Sequence, residues 1–342
     1  MRKRVSIKDI AEKVGVSTAL VSYVLNGKER EARVGEEIAK KVRKVAADMN
    51  YQPNLIARGL KFGRTKTLGL IVADISNPFF AMLARNIELE AQKNGYTVLF
   101  GSSDEQLEKS QNLINTFLNR QVDGLIITPV AGSQSQIEEL KTKSVPFVLM
   151  DRGFKDVETN TVVTDNHDAM YSAVKLLTKN GYRKIGIIAY DTPLTHMQDR
   201  IQGYKDAIKD AGIRFQSRWL VKVPFQDYKK HVAEAIAQLL DATSNAVDAL
   251  VFATNSISVQ SLKVIHAKNV KVPDDLGMIS FDESDTFEFF YTSITYIKQN
   301  LNEISEKAVQ SLIKSINSTQ PKTLKVVVPS KIVIGQSSRQ KK

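Results

Sequence analysis

The 342-residue chain contains no cysteine. Disulfide bridges and thiolate metal sites are therefore excluded. Histidine is scarce, and the four (His167, His196, His231 and His266) are scattered. None stands in a context that makes a catalytic triad or a metal cluster, and each reads as a surface or core residue. Asp282, Glu283 and Asp285 lie close together but lack the further spaced oxygens of a calcium loop. No P-loop, dinucleotide glycine fingerprint or H-E-x-x-H motif occurs. No run approaches the ~20 apolar residues of a membrane span. The expectation is a protein with no catalytic residues, no metal and no cofactor. The N-terminus is charged, with no apolar signal-peptide core behind it, so a cytoplasmic location is expected.

What the chain does have is length and an uneven charge. Its size and 42% apolar content give about two or three domains with sizeable cores. Residues 1–66 hold 16 Lys and Arg against 7 Asp and Glu, whereas residues 67–342 hold 32 against 30. Nearly all of the net charge of +11 therefore sits on the first fifth of the chain. Such asymmetry is the electrostatic footprint of a polyanion partner.

Apolar residues at Ile7, Ile10, Ala11 and Val14 have the spacing of one helix face. Ser6 precedes them as N-cap, with Asp9 in the first turn. Gly15 breaks the helix and supplies the positive φ of a tight turn, with Val16 packed beneath it. Ser17 caps a second helix whose buried stripe is Leu20, Val21, Val24 and Leu25. Asn26-Gly27 stops it, and a third helix runs through Ile38, Val42, Val45 and Met49. Thr18, Ala19, Ser22 and Tyr23 stand off the stripe of the second helix, and Asn26 stands at its end. In a helix-turn-helix, the N-terminal end of the recognition helix meets base edges in the major groove. Thr18 and Tyr23 can exchange hydrogen bonds with bases or phosphates, and Ala19 can touch a thymine methyl. The bland alternative is the surface of a small three-helix bundle; the charge asymmetry argues against it. Arg2, Lys3 and Arg4 read as a phosphate-contacting arm, and Lys40, Lys41, Arg43 and Lys44 give the third helix a basic face.

Residues 51–66 read as a hinge. Pro53 suits the first position of a short helix, and Asn54–Lys61 make about two turns. Gly59 inside it costs about 1 kcal/mol relative to Ala, and so short a helix is marginal in water. It should order on DNA. Leu55, Ile56 and Leu60 either pack the head onto the body or act on DNA.

Beyond residue 66, short apolar runs alternate with helical periods. Strands are expected at Leu68–Ala73, Tyr96–Phe100, Gly124–Thr128 and Val145–Met150, with helices near 79–94, 106–119 and 134–142. A second series follows at Lys184–Tyr190, Leu220–Val223, Ala249–Ala253 and Met278–Phe281, with helices near 197–211, 229–240 and 257–268. A helix near 302–316 and strands Lys325–Val328 and Lys331–Ile334 close the chain. This rhythm predicts two α/β lobes with parallel sheets covered on both faces. Ligands bind outside the carboxyl ends of strands in such sheets. The residues there include Asp74, Ser76, Asn77, Pro78, Phe79, Ser102, Asp104, Thr128, Asp151 and Arg152 from the first series. The second series adds Asp191, Thr192, Phe225, Gln226, Asn255 and Asp282. Carboxylates, amides and aromatic faces together suit a polyhydroxylated ligand. For Asn77, Asp104 and Asp191 the competing reading is helix capping or solvent exposure.

IKDIAEKVGVSTALVSYVLNG, followed by YQPNLIARGLK and LGLIVADISNPFF, resembles the LacI/GalR family of bacterial transcription regulators over essentially the whole chain. The resemblance implies an all-α helix-turn-helix head on an α/β body like the periplasmic binding proteins, with two parallel-sheet lobes. It divides the chain into a head at 1–50, a hinge at 51–66 and a tail at 339–342. It also implies that the chain crosses between lobes about three times. One lobe would then hold 67–165 with about 296–325, and the other 166–295 with about 326–338. In the hinge, the resemblance makes Leu60 the lever that opens a base step in the minor groove. Arg58 and Lys61 would flank it, and Asn54 would stand at the start of the segment. In the body it places Arg200 (in DRIQGY), Asp282 (in ISFDES), Asn255 (in FATNS), Asp151 and Gln299 (in YIKQN) against the effector; Phe225 aligns only loosely.

The expectation is a homodimeric DNA-binding repressor of carbohydrate-use genes that reads an approximately palindromic operator. A sugar-like effector would bind between the lobes. The tail has no apolar heptads after Ile334, so a dimer is expected rather than a coiled-coil tetramer. Two rivals are a regulator controlled by a protein or a purine-like corepressor, and a solute receptor or enzyme.

Overall fold

A computed structural model describes residues 5–51, 64–240, 246–318 and 323–341. The chain divides into two units, residues 1–65 and 66–342.

The first unit holds α1 (Ile7–Val14), α2 (Thr18–Leu25) and α3 (Glu36–Asp48). Ser6 and Asp9 form a reciprocal capping box, and Gly15 closes α1 at φ 81°. Ser17 accepts a hydrogen bond from the Leu20 amide and so caps α2. Ile10, Ala11, Val14, Val21, Val24, Ala39, Val42 and Ala46 make the core. Val42 is in the core and Val45 and Met49 pack against it, as expected, joined by Ala39 and Ala46, whereas Ile38 is exposed.

In chain order the second unit runs β1 (Thr67–Val72), α4 (Pro78–Lys93), β2 (Thr97–Ser102), α5 (Leu107–Asn119), β3 (Gly124–Ile127), α6 (Gln134–Thr142), β4 (Phe147–Met150), β5 (Thr161–Thr164) and α7 (Asn166–Lys179). It continues with β6 (Ile185–Tyr190), α8 (Thr195–Asp210), β7 (Leu220–Val223), α9 (Tyr228–Leu240), β8 (Ala249–Phe252), α10 (Asn255–Ala267), β9 (Gly277–Phe281), α11 (Thr286–Phe289) and β10 (Thr295–Lys298). Then come α12 (Leu301–Asn317), β11 (Lys325–Val328) and β12 (Lys331–Val333). The strands form two six-stranded sheets, ordered β11-β5-β4-β3-β1-β2 and β12-β10-β9-β8-β6-β7. All pairs are parallel except β10 with β12.

The central strands are buried on both faces. Leu70 and Val72 point into a core shared with α4 and α12, while Ile71 and Leu125 point into one shared with α5 and α6. Continuous apolar runs such as Gly124–Ile127 are what a doubly covered parallel strand requires.

The two sheets repeat one plan, so β1 to β5 correspond in order to β6 to β10. Four elements go beyond the sequence-based expectation: β5, α7, β10 and α11. The lobe boundaries also differ from expectation. β10 pairs with β9, and β11 pairs with β5. The chain therefore leaves the second sheet after Lys298 rather than near 295, and returns after Val328 rather than near 325. Strand pairing decides this, and composition does not.

Candidate functional site

In the head, Thr18, Ala19, Tyr23 and Asn26 are exposed and Ser22 is half-buried. These residues share α2 and its end, opposite the core face made by Val21 and Val24. Asn26 also donates from its side chain to the Ser22 carbonyl at 2.6 Å, so it finishes its own helix. On α3, Lys40 lies beside Glu36 and Glu37, Arg43 pairs with Glu29, and Lys41 reaches the Val14 carbonyl at 3.4 Å. Lys40 and Arg43 are therefore locally compensated, through surface pairs that contribute about 0–1 kcal/mol and exchange readily. Asn54, Arg58, Leu60 and Lys61 lie outside the described residues, as do Arg2, Lys3 and Arg4.

In the body, the carboxyl ends of both sheets face one cavity of about 160 Å³. Asn77, Phe79 and Asp151 line it from the first lobe, and Arg200, Phe225, Asn255 and Asp282 from the second. Gln299 does not line it. It is buried behind Asp282, donating to the Asp282 carboxylate at 2.6 Å and accepting from Thr164. The cavity is closed by contacts between the lobes. Asn77 and Asn255 exchange hydrogen bonds at 3.2 and 3.4 Å, and Thr195 bonds to Gly153. Asn77 also caps α4 through the Phe79 amide, so its two readings coexist. Asn255 is not a cap, because Thr254 has that role on α10. Asp191 is exposed and lies 3.4 Å from Lys222.

Asp151 and Asp282 follow β4 and β9, the corresponding strands of the two lobes. Both are buried and both have positive φ, 70° and 69°. That region is uncommon for any residue with a side chain. Each backbone amide bonds to the neighbouring strand, at Val162 and Ile297 respectively, and this holds each carboxylate at the sheet edge.

Two buried guanidiniums serve the cavity differently. Arg152 is gripped by Glu105 at 2.8 and 3.1 Å and by Asp151 at 3.1 Å. Burial works against its charge, but these two acids more than offset it, and its pKa is raised. Among the described residues, Arg200 has no carboxylate in ion-pair contact. It donates to the Asn166 side chain at 2.8 Å and the Ala253 carbonyl at 2.7 Å, and lies 3.5 Å over the Phe281 ring. Burial lowers its pKa, opposed by Asp282 and Asp151. Burial likewise lifts Asp282 to about 6, against the pull of Arg200 and the Gln299 amide.

Sequence reasoning missed Phe80, Glu105, Tyr190, His196, Thr254 and Ser256, all of which line the cavity. Glu105 meets Arg152 across 47 positions, which no local pattern reveals. His196 had a signal: it precedes Arg200 by four on α8, and residues so spaced share a helix face. Among the described residues no group of His, Asp and Glu is arranged to hold a metal, and no helix is long and apolar enough to cross a membrane.

A small helix-turn-helix unit, joined in one chain to a twin-lobed binding body closed on a polar cavity, defines a ligand-responsive DNA-binding regulator. Residues 6–54 match the family described as bacterial regulatory proteins of the lacI family. Residues 65–334 match the periplasmic binding proteins and sugar binding domain of the LacI family. The chain belongs to the LacI family. It is 31% identical to the ribose operon repressor of Haemophilus influenzae, over 97% of this chain and 98% of that protein. It is 27% identical to the transcriptional repressor PurR of Pasteurella multocida, over 97% and 98%. Its fold is that of the lac repressor dimer solved with operator and an anti-inducer, at a TM-score of 0.86 and 19% identity over 98% and 100% of the two chains.

Proposed function

We propose that the protein is a homodimeric, sequence-specific repressor of carbohydrate-use genes, controlled by a small sugar-like effector held between its lobes. The observation that carries this reading is the shared cavity. Seven polar and aromatic residues, up to about 200 positions apart in sequence, line one space of about 160 Å³. That volume is close to the ~150 Å³ of an engineered cavity that holds benzene, and favours a monosaccharide over anything larger. Aromatic faces at Phe79 and Phe225 suit the C–H surface of a sugar, and amides and carboxylates suit its hydroxyls. A nucleobase is the competing occupant, because Phe79 and Phe225 could also flank a flat ring.

The lobes would move about the crossings near Asp165, Gln299 and Ser330. A ligand that prefers one lobe arrangement shifts DNA affinity, and DNA must shift ligand affinity by the same factor. On the head, Thr18, Ala19, Ser22, Tyr23 and Asn26 would read bases. Asn54, Arg58, Leu60 and Lys61 would act from the hinge. A second copy would cover Met82, Leu89 and Phe100, which are exposed on α4 and the edge strand β2. We assign no catalytic step.

Selection from a random DNA pool tests the reading. It should enrich an inverted repeat bound by a dimer, and deletion of residues 1–61 should abolish this while ligand-induced thermal stabilisation remains. Enrichment of no sequence, or turnover of a sugar, would contradict it.

A further inference from the structure

His196 is the feature of the cavity that the proposed function leaves unexplained. It is 6% exposed and lines the cavity beside Arg152 and Arg200. Its Nδ1 is buried and makes no hydrogen bond. A buried polar atom left unpaired costs about 1–3 kcal/mol, so such atoms are uncommon in a finished interior and call for a partner. Burial, together with the two guanidiniums, holds the imidazole well below its ordinary pKa, so it is neutral near pH 7.

A neutral imidazole presents one N–H and one bare nitrogen. An alcohol hydroxyl satisfies either, because it both donates and accepts. A phosphate or carboxylate satisfies only the N–H. Charge points the same way. Asp74, Glu105, Asp151 and Asp282, none of them exposed, line the cavity against Arg152 and Arg200. The exposed Asp191 lies beside Lys222, and Arg152 is already occupied by two acids. An anion entering this space would meet a surplus of carboxylate in a poorly solvated setting, where like charges are least screened.

Building on the sugar-effector reading, we propose that His196 is a specificity-determining residue of the effector site, and that its partner is a free hydroxyl of an uncharged monosaccharide. Sugar phosphates and sugar acids are rejected. As the lobes adjust around the sugar, a hydroxyl brought to the imidazole supplies the hydrogen bond that Nδ1 lacks in this structure. A sugar without that hydroxyl forgoes this gain.

The test is calorimetric titration of the full-length protein with D-ribose, D-glucose, D-galactose, D-fructose, ribose 5-phosphate, glucose 6-phosphate, glucuronate and hypoxanthine. A neutral sugar should bind, and its phosphate should bind at least about tenfold more weakly. The binding sugar is then compared with its monodeoxy analogues on the wild type, His196→Leu and His196→Gln. At one position the deoxy change should cost about tenfold or more on the wild type and little on His196→Leu. His196→Gln, which keeps a donor and an acceptor, should restore part of the affinity and of that discrimination. A general packing role for His196 would weaken all analogues alike. The inference falls, while the sugar-effector reading stands, if a sugar phosphate or glucuronate binds more tightly than every neutral sugar, or if no deoxy position couples to His196; if hypoxanthine binds most tightly, both fall. If nothing in the panel binds, the effector reading falls and the inference with it.

Discussion

Asp151 and Asp282 occupy the same place in two lobes built on one plan, yet their surroundings differ. Each ends the fourth strand of its lobe, and each holds φ near 70°. Beside Asp151 stands Arg152, itself locked by Glu105. Asp282 is hydrogen-bonded by the neutral Gln299 amide and has no cation within ion-pair distance among the described residues, and burial raises its pKa to about 6 against the pull of Arg200. The first lobe therefore presents a guanidinium whose charge is already paired. The second presents Arg200, Asp282 and His196 without ion-pair partners, and so has more to gain from a ligand. A repeated backbone fixes where polar groups stand. The side chains around them decide whether that place serves stability or recognition.

The largest test of this comparison removes one guanidinium from each wall. Arg152→Leu leaves the buried Asp151 and the half-buried Glu105 without a cation and should cost about 3–5 kcal/mol in urea denaturation. Arg200→Leu strands only neutral acceptors, together with an aspartate that can take up a proton. It should cost about 1–3 kcal/mol while abolishing ligand binding. Equal stability losses would erase the distinction between the walls.

Helix packing differs between the lobes as well. In the second, α8 presses on α7 through Gly203, and a Cβ there would lie 2.2 Å from the His167 carbonyl oxygen. The corresponding pair in the first lobe, α4 and α12, contains no glycine. Gly203→Ala should cost about 3 kcal/mol, the upper end of ordinary overpacking, or prevent folding. A change below about 1 kcal/mol would mean that the helices part more easily than their backbone contact implies.

Acid titration provides a third test. Asp282 rises from an ordinary 3.8 to about 6 in the folded state, so between these values the folded protein binds the proton that the unfolded chain releases. Stability from this group is present at low pH and is lost as pH rises through about 6. Each tenfold difference in proton affinity between the two states is worth about 1.4 kcal/mol. The difference in unfolding free energy between the wild type and Asp282→Asn should therefore change by roughly 2–3 kcal/mol from about pH 4 to about pH 7. A pH-independent difference would show that Asp282 is not strained by burial.

The smallest effect lies outside the lobes. Ser17→Ala removes the α2 cap at a cost of about 1 kcal/mol to the head. DNA affinity should fall, and the ligand affinity of the full-length protein measured without DNA should be unchanged.

Much of this is legible in the sequence because local chemistry declares it. Ser6, Gly15 and Ser17 mark helix ends by side-chain oxygens and a positive φ, and strand ends point to Asp151, Asn255 and Asp282. What escapes depends on distant pairing. β5 is four residues of Thr and Val, too short to stand out from a loop. β11 and β12 read almost alike in sequence, yet join different sheets in opposite senses. The family resemblance puts Gln299 against the effector, but its burial behind Asp282 is set by Thr164, 135 positions earlier. His196 ends no strand, so a reading of strand ends passes over it; its i, i+4 relation to Arg200 is the clue.

The central claim is that one cavity governs the head. The most direct measurement is the affinity of the full-length protein for its selected inverted repeat, with and without the ligand that stabilises it thermally. The account predicts a change of about 5- to 150-fold, an equal change in ligand affinity when DNA is added, and loss of both in Arg200→Leu with DNA binding retained. A ligand that fills the cavity and leaves DNA affinity unchanged would contradict it.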